Sequence, residues 1–526
     1  MIYRSESYEL PNPDLILHNA NIYPRVDSSK SFQAIAVWNG LVTAVGRDRD
    51  ILGLKGRSVK SIDLRRKTVI PGLTDSHIHL LGYAMLLRTL DLTTARSIKD
   101  IQSAVSAASR HGGKGWILGR GWDQEKLAEH RYPRKDDFSP IQQPLFLRRV
   151  CGHIAVANAT ALTRANITKN TTDPKGGLIE RDRPSGEPTG VLKESALGLV
   201  QEVIPWDEKE VERALITATT KLLKIGLTSL HCIIENLIEL KVLRRLRSLG
   251  KISQSIYAII PLSLLESAAG FGLSTEPGRP GFRIGGVKMF LDGSLGARTA
   301  ALTEQYSDEP SSGMLTLGGG RLQTAAQKAV DAGFQLSMHA IGDRAVEEAL
   351  AVVGKVGSTY HGRELRHRIE HASLTSPMLL RSFRERGIIA SVQPSFISSD
   401  TWAEKRLGPR RLEHLYAFRS MNRAGIRMTA GSDCPVENPN PFRGVWAAVA
   451  RPGLPARERL TVHQAFSCYT SGPAYASFAE QFQGSLEPGM VADMLVLDRD
   501  PFTCPSADLA DVKVLQTFVA GNPATS

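Results

Sequence analysis

The sequence is poor in cysteine, with five residues in a chain of 526 and no Cys-x-x-Cys pair. They are widely dispersed, as Cys151, Cys232, Cys434, Cys468 and Cys504. Neither a disulfide framework nor a thiolate zinc site is expected, because both need cysteines at close or regular spacing. Most of them are expected to be small buried apolar residues.

Long hydrophobic runs are also missing. The sequence contains no run of about 18 apolar residues, the length needed to span a membrane. Residues 1–17 carry Glu6, Glu9 and Asp14 where a secretion signal would be apolar. The net charge of +12 is spread over short basic groups without interleaved aromatics, which excludes a typical nucleic-acid surface. We therefore expect a cytoplasmic protein with a small-molecule substrate and neither a membrane nor a nucleic-acid partner. The positive charge favours anionic substrates in a general way.

A repeated unit runs through the middle of the chain: a helical pattern, a glycine, then a short apolar strand. Asp207 and Glu210 form a capping box for the first such helix, which Gly226 ends before a strand at 227–230. The pattern recurs around Gly250, Gly333, Gly387 and Gly425, where the last helix is predicted at 412–424. Strands at 69–79, 283–291 and 366–371 bring the total to eight. Eight parallel strands with helices between them predict a closed (β/α)8 barrel, an α/β fold of the TIM type.

The two ends of the chain resemble each other and differ from the barrel. Both carry short apolar runs separated by turns, including the hairpin signal Asn39-Gly40. We predict a small β-sandwich domain built from residues 1–68 and 476–526, and a barrel at 69–475. An insertion at 84–205, after the first barrel strand, contains a predicted helix from Ser97, a strand at 145–150 and a Pro/Gly-rich loop at 173–190. An insertion in this place can roof the pocket.

Two histidines separated by one residue end the first predicted barrel strand. Because side chains alternate along a strand, His77 and His79 point the same way, close enough to bind one cation. Such a pair also occurs by chance as a structural or surface feature. Another predicted strand contains Lys288, two more end at His339 and His371, and the last one runs into Asp433. Barrel enzymes place reactive groups at the carboxyl ends of the strands, so these residues are expected to converge.

Several phrases together resemble the amidohydrolase superfamily of metal-dependent hydrolases. The first is Pro71-Gly-Leu-Thr-Asp-Ser-His-Ile-His79. Three more are typical of amidohydrolase family 3 and its branch containing N-substituted formamide deformylase: Gly286-Val-Lys-Met-Phe-Leu-Asp-Gly-Ser-Leu-Gly-Ala-Arg-Thr299, His339-Ala-Ile-Gly-Asp343 and Gly431-Ser-Asp-Cys-Pro-Val-Glu437. The similarity covers nearly the whole chain. It is specific for fold and metal chemistry and does not identify the substrate.

The resemblance implies roles for the residues at the matching positions. His77, His79 and Asp433 would bind the more buried metal ion, and His339 and His371 a second, outer ion. Lys288 matches the position of a carboxylated lysine that bridges two metals in many members. The alternative is an unmodified Lys288, paired for example with Asp292, beside a single ion. Zinc is the expected metal, although Fe, Mn and Co suit the same ligands.

The implied reaction is hydrolysis of an amide-type carbon-nitrogen bond other than a peptide bond, such as that of an N-formyl or N-acyl amine. Divalent ions would lower the pKa of a bound water and polarise the carbonyl, with Asp433 as general base. A deaminase or a cyclic amide or carbamate hydrolase would use the same chemistry. A non-catalytic scaffold is a further alternative. A homodimer is the expected assembly, since dimers are the commonest oligomers.

Three residues are predicted to bind the substrate. His153 lies in the phrase Cys151-Gly-His-Ile-Ala-Val-Ala-Asn158, which also occurs in the branch, and would hydrogen-bond the substrate or stabilise an oxyanion. A buried histidine within the insertion is the alternative. Asp292 and Arg298 lie in the loop after the fourth strand and would grip the substrate, unless they pair with each other. His231, just past the second predicted strand, has no assigned role.

Overall fold

The computed structural model describes residues 12–56, 58–111, 115–174, 176–205 and 207–524. The chain divides into two compact units, Ala84–Ala214 and the combination of Met1–Tyr83 with Leu215–Ser526. The domain limits drawn from the sequence stay predictions, and residues 1–11, where no secretion signal is expected, lie outside the described residues. None of the described helices has the length and apolar character needed to cross a bilayer. The cytoplasmic location also stays a prediction.

Eight parallel strands form one sheet in the larger unit, and each pairs with its neighbours in chain order. They are β1 (Leu73–Ile78), β2 (Leu227–Ile233), β3 (Ser255–Pro261), β4 (Phe282–Phe290), β5 (Gln335–Ala340), β6 (Arg368–His371), β7 (Ile389–Val392) and β8 (Met428–Ala430). Beyond β8, the Asp433 N–H donates to the His77 carbonyl at 2.8 Å, which brings the last strand back to β1. The predicted (β/α)8 architecture is confirmed.

Helices connect the barrel strands, and three more α-helices follow the last strand within the described range 207–524. The longer ones are Glu208–Lys224, Leu237–Ser248, Gly319–Asp331, Asp343–Val356, Pro377–Glu385 and Pro441–Ala450, and the shorter ones are Leu265–Gly270, Phe396–Ser399, Ala403–Leu412, Phe418–Arg423, Val462–Ser467 and Ser471–Ala476. The single helix predicted at 412–424 is wrong, because the chain turns between two helices there. Tyr416 adopts a left-handed φ of 50° and its N–H donates to the Ser373 carbonyl at 2.8 Å, which no continuous helix permits.

Two further sheets of the larger unit are built from both ends of the chain. One contains Leu15–His18, Ala34–Trp38, Leu41–Gly46 and Lys60–Asp63; the other contains Asn21–Ile22, Thr68–Pro71, Met494–Leu497, Val514–Val519 and Asn522–Pro523. Leu17, Val37, Val69, Met494 and Phe518 are buried in one cluster between them. The expected β-sandwich from both termini is therefore present.

The run predicted as one strand at 69–79 is two strands that serve different sheets. Thr68–Pro71 pairs with Met494–Leu497 in the β-sandwich, whereas β1 begins at Leu73 in the barrel. Gly72 separates them, and a Cβ at this position would collide with the Thr228 side chain. The close approach of Gly72 to β2 explains why glycine occupies the junction.

The smaller unit is a six-stranded sheet with helices. The sheet order is Gly177–Arg181, Pro188–Glu194, Ile154–Ala157, Leu145–Arg149, Ile117–Trp122 and Leu90–Asp91, and the helices are Ile98–His111, Ala159–Arg164 and Ala196–Gln201. The helix predicted from Ser97 is present and begins with a capping box, in which the Asp100 N–H donates to Ser97 Oγ at 3.1 Å and the Ser97 N–H donates to Asp100 Oδ2 at 3.0 Å. The loop predicted at 173–190 is partly wrong because it holds a hairpin, whose Ile179 packs in the same buried cluster as Leu192. Lys175 lies outside the described residues.

Candidate metal centre

The predicted metal ligands all lie at the carboxyl end of the barrel. His77 lies within β1 and His79 follows it, Lys288 lies in β4, and His339 lies in β5. His371 ends β6, and Asp433 follows β8 by three residues. Parallel strands bring these positions to one rim, since all eight run in the same direction.

Three of these side chains form a compact group. One ligand atom each from His77, His79 and Asp433 lies within 4.8 Å of the others. Asp433 Oδ1 is 3.4 Å from His77 Nε2 and 3.3 Å from His79 Nε2. His77 is fully buried, and His79 is partly exposed. Two imidazole nitrogens and a carboxylate oxygen are a donor set that fits zinc or another divalent transition metal.

A buried carboxylate holds the two chain segments of this group together. Asp75 Oδ1 accepts the N–H of His77 at 3.0 Å and that of Ser432 at 3.1 Å, and its Oδ2 accepts the Ser432 hydroxyl at 2.5 Å. Burial raises the pKa of Asp75 to about 7 although these hydrogen bonds oppose the rise. Asp433 itself has a left-handed φ of 56°, which turns its side chain out of the β8 direction. Asp75 thus connects the end of β1 to the loop after β8.

His339 and His371 lie beside this group. Their ring centroids are 4.4 Å apart, and the His371 ring is 5.2 Å from that of His77. His339 Nε2 donates to the Gly293 carbonyl at 3.1 Å, so its Nδ1 carries the lone pair. Phe396 stacks parallel to His371 at a centroid distance of 6.0 Å. The two imidazoles are thus placed side by side, next to the first three ligands.

Lys288 lies beside His77, and its charge acts on His339 and His371. Its Nζ is 3.2 Å from His77 Nε2 and 4.8 Å from the centroid of the Phe290 ring. The side chain is buried. Burial lowers the pKa of Lys288 to about 8, although the charges of Glu370 and Asp433 oppose the shift. A larger share of neutral amine is therefore present at neutral pH than for an exposed lysine.

The protonation states favour binding of a cation. Burial, together with the charge of Lys288, lowers the pKa of His77 to about 4 and that of His339 to about 3. Burial also lowers the pKa of His371. Burial alone would raise the pKa of Asp433, but the hydrogen bond from His79 and the neighbouring imidazoles outweigh this effect and lower the pKa. Neutral imidazoles and an ionised carboxylate are the forms that bind a metal ion.

Three buried residues near the site have no role in the sequence interpretation. Glu370 Oε2 accepts from His77 Nδ1 at 2.6 Å, and Arg368 donates to both oxygens of Glu370. Arg368 also donates to His231 Nδ1 at 3.1 Å. The sequence held a signal for two of them. Arg368 and Glu370 alternate in a predicted buried strand directly before His371, which places two charges on one face.

The three predicted substrate-binding residues have protein partners. In the smaller unit, His153 Nδ1 is 2.9 Å from Glu194 Oε2 and both side chains are exposed. Arg298 bonds Asp308 at 2.8 Å and Glu309 at 3.1 Å. These contacts leave the assignment of His153 and Arg298 to the substrate a prediction.

Asp292, the third of them, is buried and shapes the loops around β5. Its Oδ1 accepts the N–H of Ile341 at 3.1 Å, and its Oδ2 accepts those of Gly342 at 2.9 Å and Ala301 at 3.0 Å. Its Oδ1 also lies 3.5 Å from His339 Nε2. The alternatives in which Asp292 pairs with Arg298 or Lys288 are not among these contacts, and its role in substrate binding stays a prediction.

Comparisons with known proteins extend over nearly the whole chain. A model of the amidohydrolase family matches residues 60–524. The protein YtcJ of Bacillus subtilis (strain 168) is 30% identical over 529 residues, which cover 96% of this chain and 98% of the relative. N-substituted formamide deformylase of Arthrobacter pascens is 29% identical over 541 residues, 97% of each chain. An uncharacterized metal-dependent hydrolase from Pyrococcus furiosus has a TM-score of 0.83 at 32% identity, covering 93% of this chain and 100% of that one.

Proposed function

Because the chain belongs to the amidohydrolase family, we propose that it hydrolyses a carbon-nitrogen bond other than a peptide bond, with N-formyl or N-acyl amines as the substrate class. The observation that carries the proposal is the convergence of His77, His79 and Asp433, whose ligand atoms lie within 4.8 Å of one another. The similarity to a relative named N-substituted formamide deformylase supports the choice of bond.

The donor atoms of this site suit one divalent ion, with zinc as the proposed metal. His77 Nε2, His79 Nε2 and Asp433 Oδ1 would hold it. Such an ion lowers the pKa of a water molecule bound to it and polarises a carbonyl group. No serine or cysteine nucleophile is needed for hydrolysis by this route.

Asp433 is the proposed general base. Its Oδ1 faces both imidazoles, at 3.4 Å from His77 and 3.3 Å from His79, so we assign Oδ2 to the proton of the attacking water. The carboxylate would accept this proton and later return it to the leaving nitrogen. The low pKa of Asp433 keeps the group ionised before the reaction begins.

A second ion at His339 and His371 is part of the proposal, with Lys288 as the bridge. A neutral lysine amine adds to carbon dioxide, forms an N–C bond, loses one proton and becomes an anionic carbamate with two oxygen ligands. The lowered pKa of Lys288 and its position 3.2 Å from His77 support this modification. The alternative is a single ion beside an unmodified lysine.

Metal analysis and substrate profiling of one set of variants test the proposal. We expect purified protein to hold one or two divalent ions per chain, two if electron density at Lys288 shows a carbamate. Asp433→Asn should lose at least a thousandfold in kcat on its substrate among a panel of N-formyl and N-acyl amines. Asp331→Asn, on an exposed helix end, is the matched control and should retain full activity.

The same panel separates the alternatives. Turnover of heterocyclic amines or cyclic amides, without turnover of open-chain amides, would favour a deaminase or a cyclic amide hydrolase. Bound metal without activity on any amide, ester or amine would contradict the hydrolase proposal and favour a scaffold.

A further inference from the structure

Strand β6 carries a buried ion pair that contacts His77, a residue of the candidate metal centre. Arg368 and Glu370 are both fully buried. We propose that Glu370, oriented by Arg368, is a positioning residue that fixes the ring of His77 with the Nε2 lone pair directed at the metal position. This inference rests on the proposed function, because it needs His77 to be a metal ligand.

The hydrogen bond to Glu370 determines which nitrogen of His77 carries the proton. Glu370 Oε2 lies 2.6 Å from His77 Nδ1, and both side chains are fully buried. An ionised carboxylate can only accept, so Nδ1 carries the proton and donates it. The lone pair of the neutral ring is then on Nε2, the nitrogen that lies 3.4 Å from Asp433 Oδ1. Carboxylates that act on metal-bound histidines in this way fix the tautomer and the ring orientation.

Arg368 holds Glu370 in this position through the fork of its guanidinium. Its Nε donates to Oε1 at 2.5 Å and its Nη2 donates to Oε2 at 3.0 Å. Two such parallel bonds define the plane of the carboxylate. Glu370 therefore cannot rotate away from His77 without losing its cation.

The same guanidinium connects four barrel strands. Nη2 also lies 2.6 Å from the Ser76 carbonyl of β1 and 2.7 Å from the Ser391 hydroxyl of β7, so its two hydrogens are shared among these two acceptors and Glu370 Oε2. Nη1 donates to His231 Nδ1 of β2 at 3.1 Å. Since Ser76 directly precedes His77, Arg368 fixes the backbone of the metal ligand as well as the carboxylate on its ring.

Stability alone gives no reason for this arrangement. Replacing a buried ion pair with apolar side chains of similar volume is often neutral or stabilising. The distinctive feature of the pair is that Glu370 accepts from Nδ1 of His77, whose Nε2 faces the group formed with His79 and Asp433. A positioning role accounts for this contact.

Glu370→Gln is the informative variant, because both oxygens of Glu370 already receive hydrogen bonds. The glutamine side chain must turn its NH2 group either toward the Arg368 guanidinium or toward His77 Nδ1–H. In both orientations two hydrogen-bond donors face each other. If the NH2 group faces His77, the ring proton moves to Nε2 and blocks the metal position. We therefore expect the affinity for Co²⁺, the probe ion, to fall 10- to 100-fold, the range seen for such outer partners.

The matched control is Glu458→Gln, another buried carboxylate that accepts from the N–H and hydroxyl of Ser420 at 2.9 and 2.6 Å. Metal-free full-length proteins are titrated with Co²⁺ against a competing chelator, and visible absorption bands report the ligand geometry. We expect the control to bind Co²⁺ within twofold of the wild type with the same band shape. Wild-type affinity and an unchanged spectrum in both Glu370→Gln and Glu370→Leu, which leaves no acceptor for His77 Nδ1, would overturn the inference.

A measurement on the wild-type chain covers the outcome in which Glu370→Gln does not fold. Proton–nitrogen NMR of the metal-free protein with ¹⁵N-labelled histidine reports which ring nitrogen is protonated, and a His77→Gln variant assigns the signal. A proton on Nδ1 supports the inference, and one on Nε2 overturns it. Failure of the proposed function is distinguishable, because it would show as tight Co²⁺ binding without hydrolysis of any amide.

Discussion

Removing the cation of the buried pair should destabilise the protein more than removing the pair entirely. Arg368→Met leaves the fully buried Glu370 carboxylate hydrogen-bonded to His77 Nδ1 but without the guanidinium that compensates its charge. Breaking a buried pair from one side costs about 3–5 kcal/mol, because it leaves an uncompensated charge out of water. A loss of about 4 kcal/mol lowers the ratio of folded to unfolded protein by nearly a thousandfold.

The double variant Arg368→Met with Glu370→Leu should recover about 2 kcal/mol or more of this loss. It removes the buried charge and fills the space with apolar side chains, an exchange that is often neutral. What remains includes the cost of the His77 N–H without its acceptor, about 1–3 kcal/mol. The Ser76 carbonyl and His231 Nδ1 also lose their donor, as they do in the single variant. The single variant should therefore be the least stable of the three proteins.

Urea unfolding of the metal-free proteins, followed by circular dichroism, measures these differences. Arg451→Met is the control, since this buried arginine donates to the carbonyls of Pro455, Tyr416 and Leu415. It reports the cost of losing a buried guanidinium without a hydrogen-bonded carboxylate. A double variant no more stable than Arg368→Met would refute the reasoning, because lost packing and hydrogen bonds would then explain the whole effect.

Two further predictions concern the closure of the barrel and the pH dependence of the protein's stability. Gly431→Ala would place a Cβ 2.6 Å from that of His77 and should weaken Co²⁺ binding at least tenfold, as measured by competition with a chelator. Gly320→Ala, whose Cβ would lie in open space, should bind Co²⁺ like the wild type. Equal affinities of the two variants would contradict this prediction. Burial raises the pKa of Glu239 from 4.5 to about 8, so the folded state holds this proton more tightly and stability falls as pH rises through that window. Glu239→Gln should remove about 3–4 kcal/mol of the wild-type loss in unfolding free energy between pH 5 and pH 8, and parallel urea-stability profiles would rule this out.

The barrel could be predicted from the sequence because its signals are local. Glycine stops such as Gly226 follow amphipathic helices, and the strands after them are short and apolar, so their number and order are readable. The six-stranded sheet of the smaller unit was not predicted. Its hairpin at 177–194 mixes Pro, Gly and charged residues. The strands of the whole sheet are defined by pairing between segments that are distant in the sequence, and no local pattern indicates such pairing.

The residues of the candidate site were likewise predicted only in part. The alternation of His77 and His79, and the position of Asp433 after a predicted strand, indicated where these side chains would meet. Glu370 and Arg368 were missed because charged side chains are rarely fully buried, so opposite charges two residues apart usually indicate a solvated pair. Their burial depends on closure of the barrel. Whether the histidines bind metal stays a prediction that the binding experiments test.

The pairing of Thr68–Pro71 with Met494–Leu497 has a consequence for synthesis on the ribosome. The segment leading into His77 is made early, but the strand that completes its sheet is made more than 400 residues later. Until that partner emerges, the segment just before His77 and His79 has an unpaired edge, a surface on which growing chains misassociate. A nascent chain of this protein should therefore complete the candidate metal centre only near the end of translation.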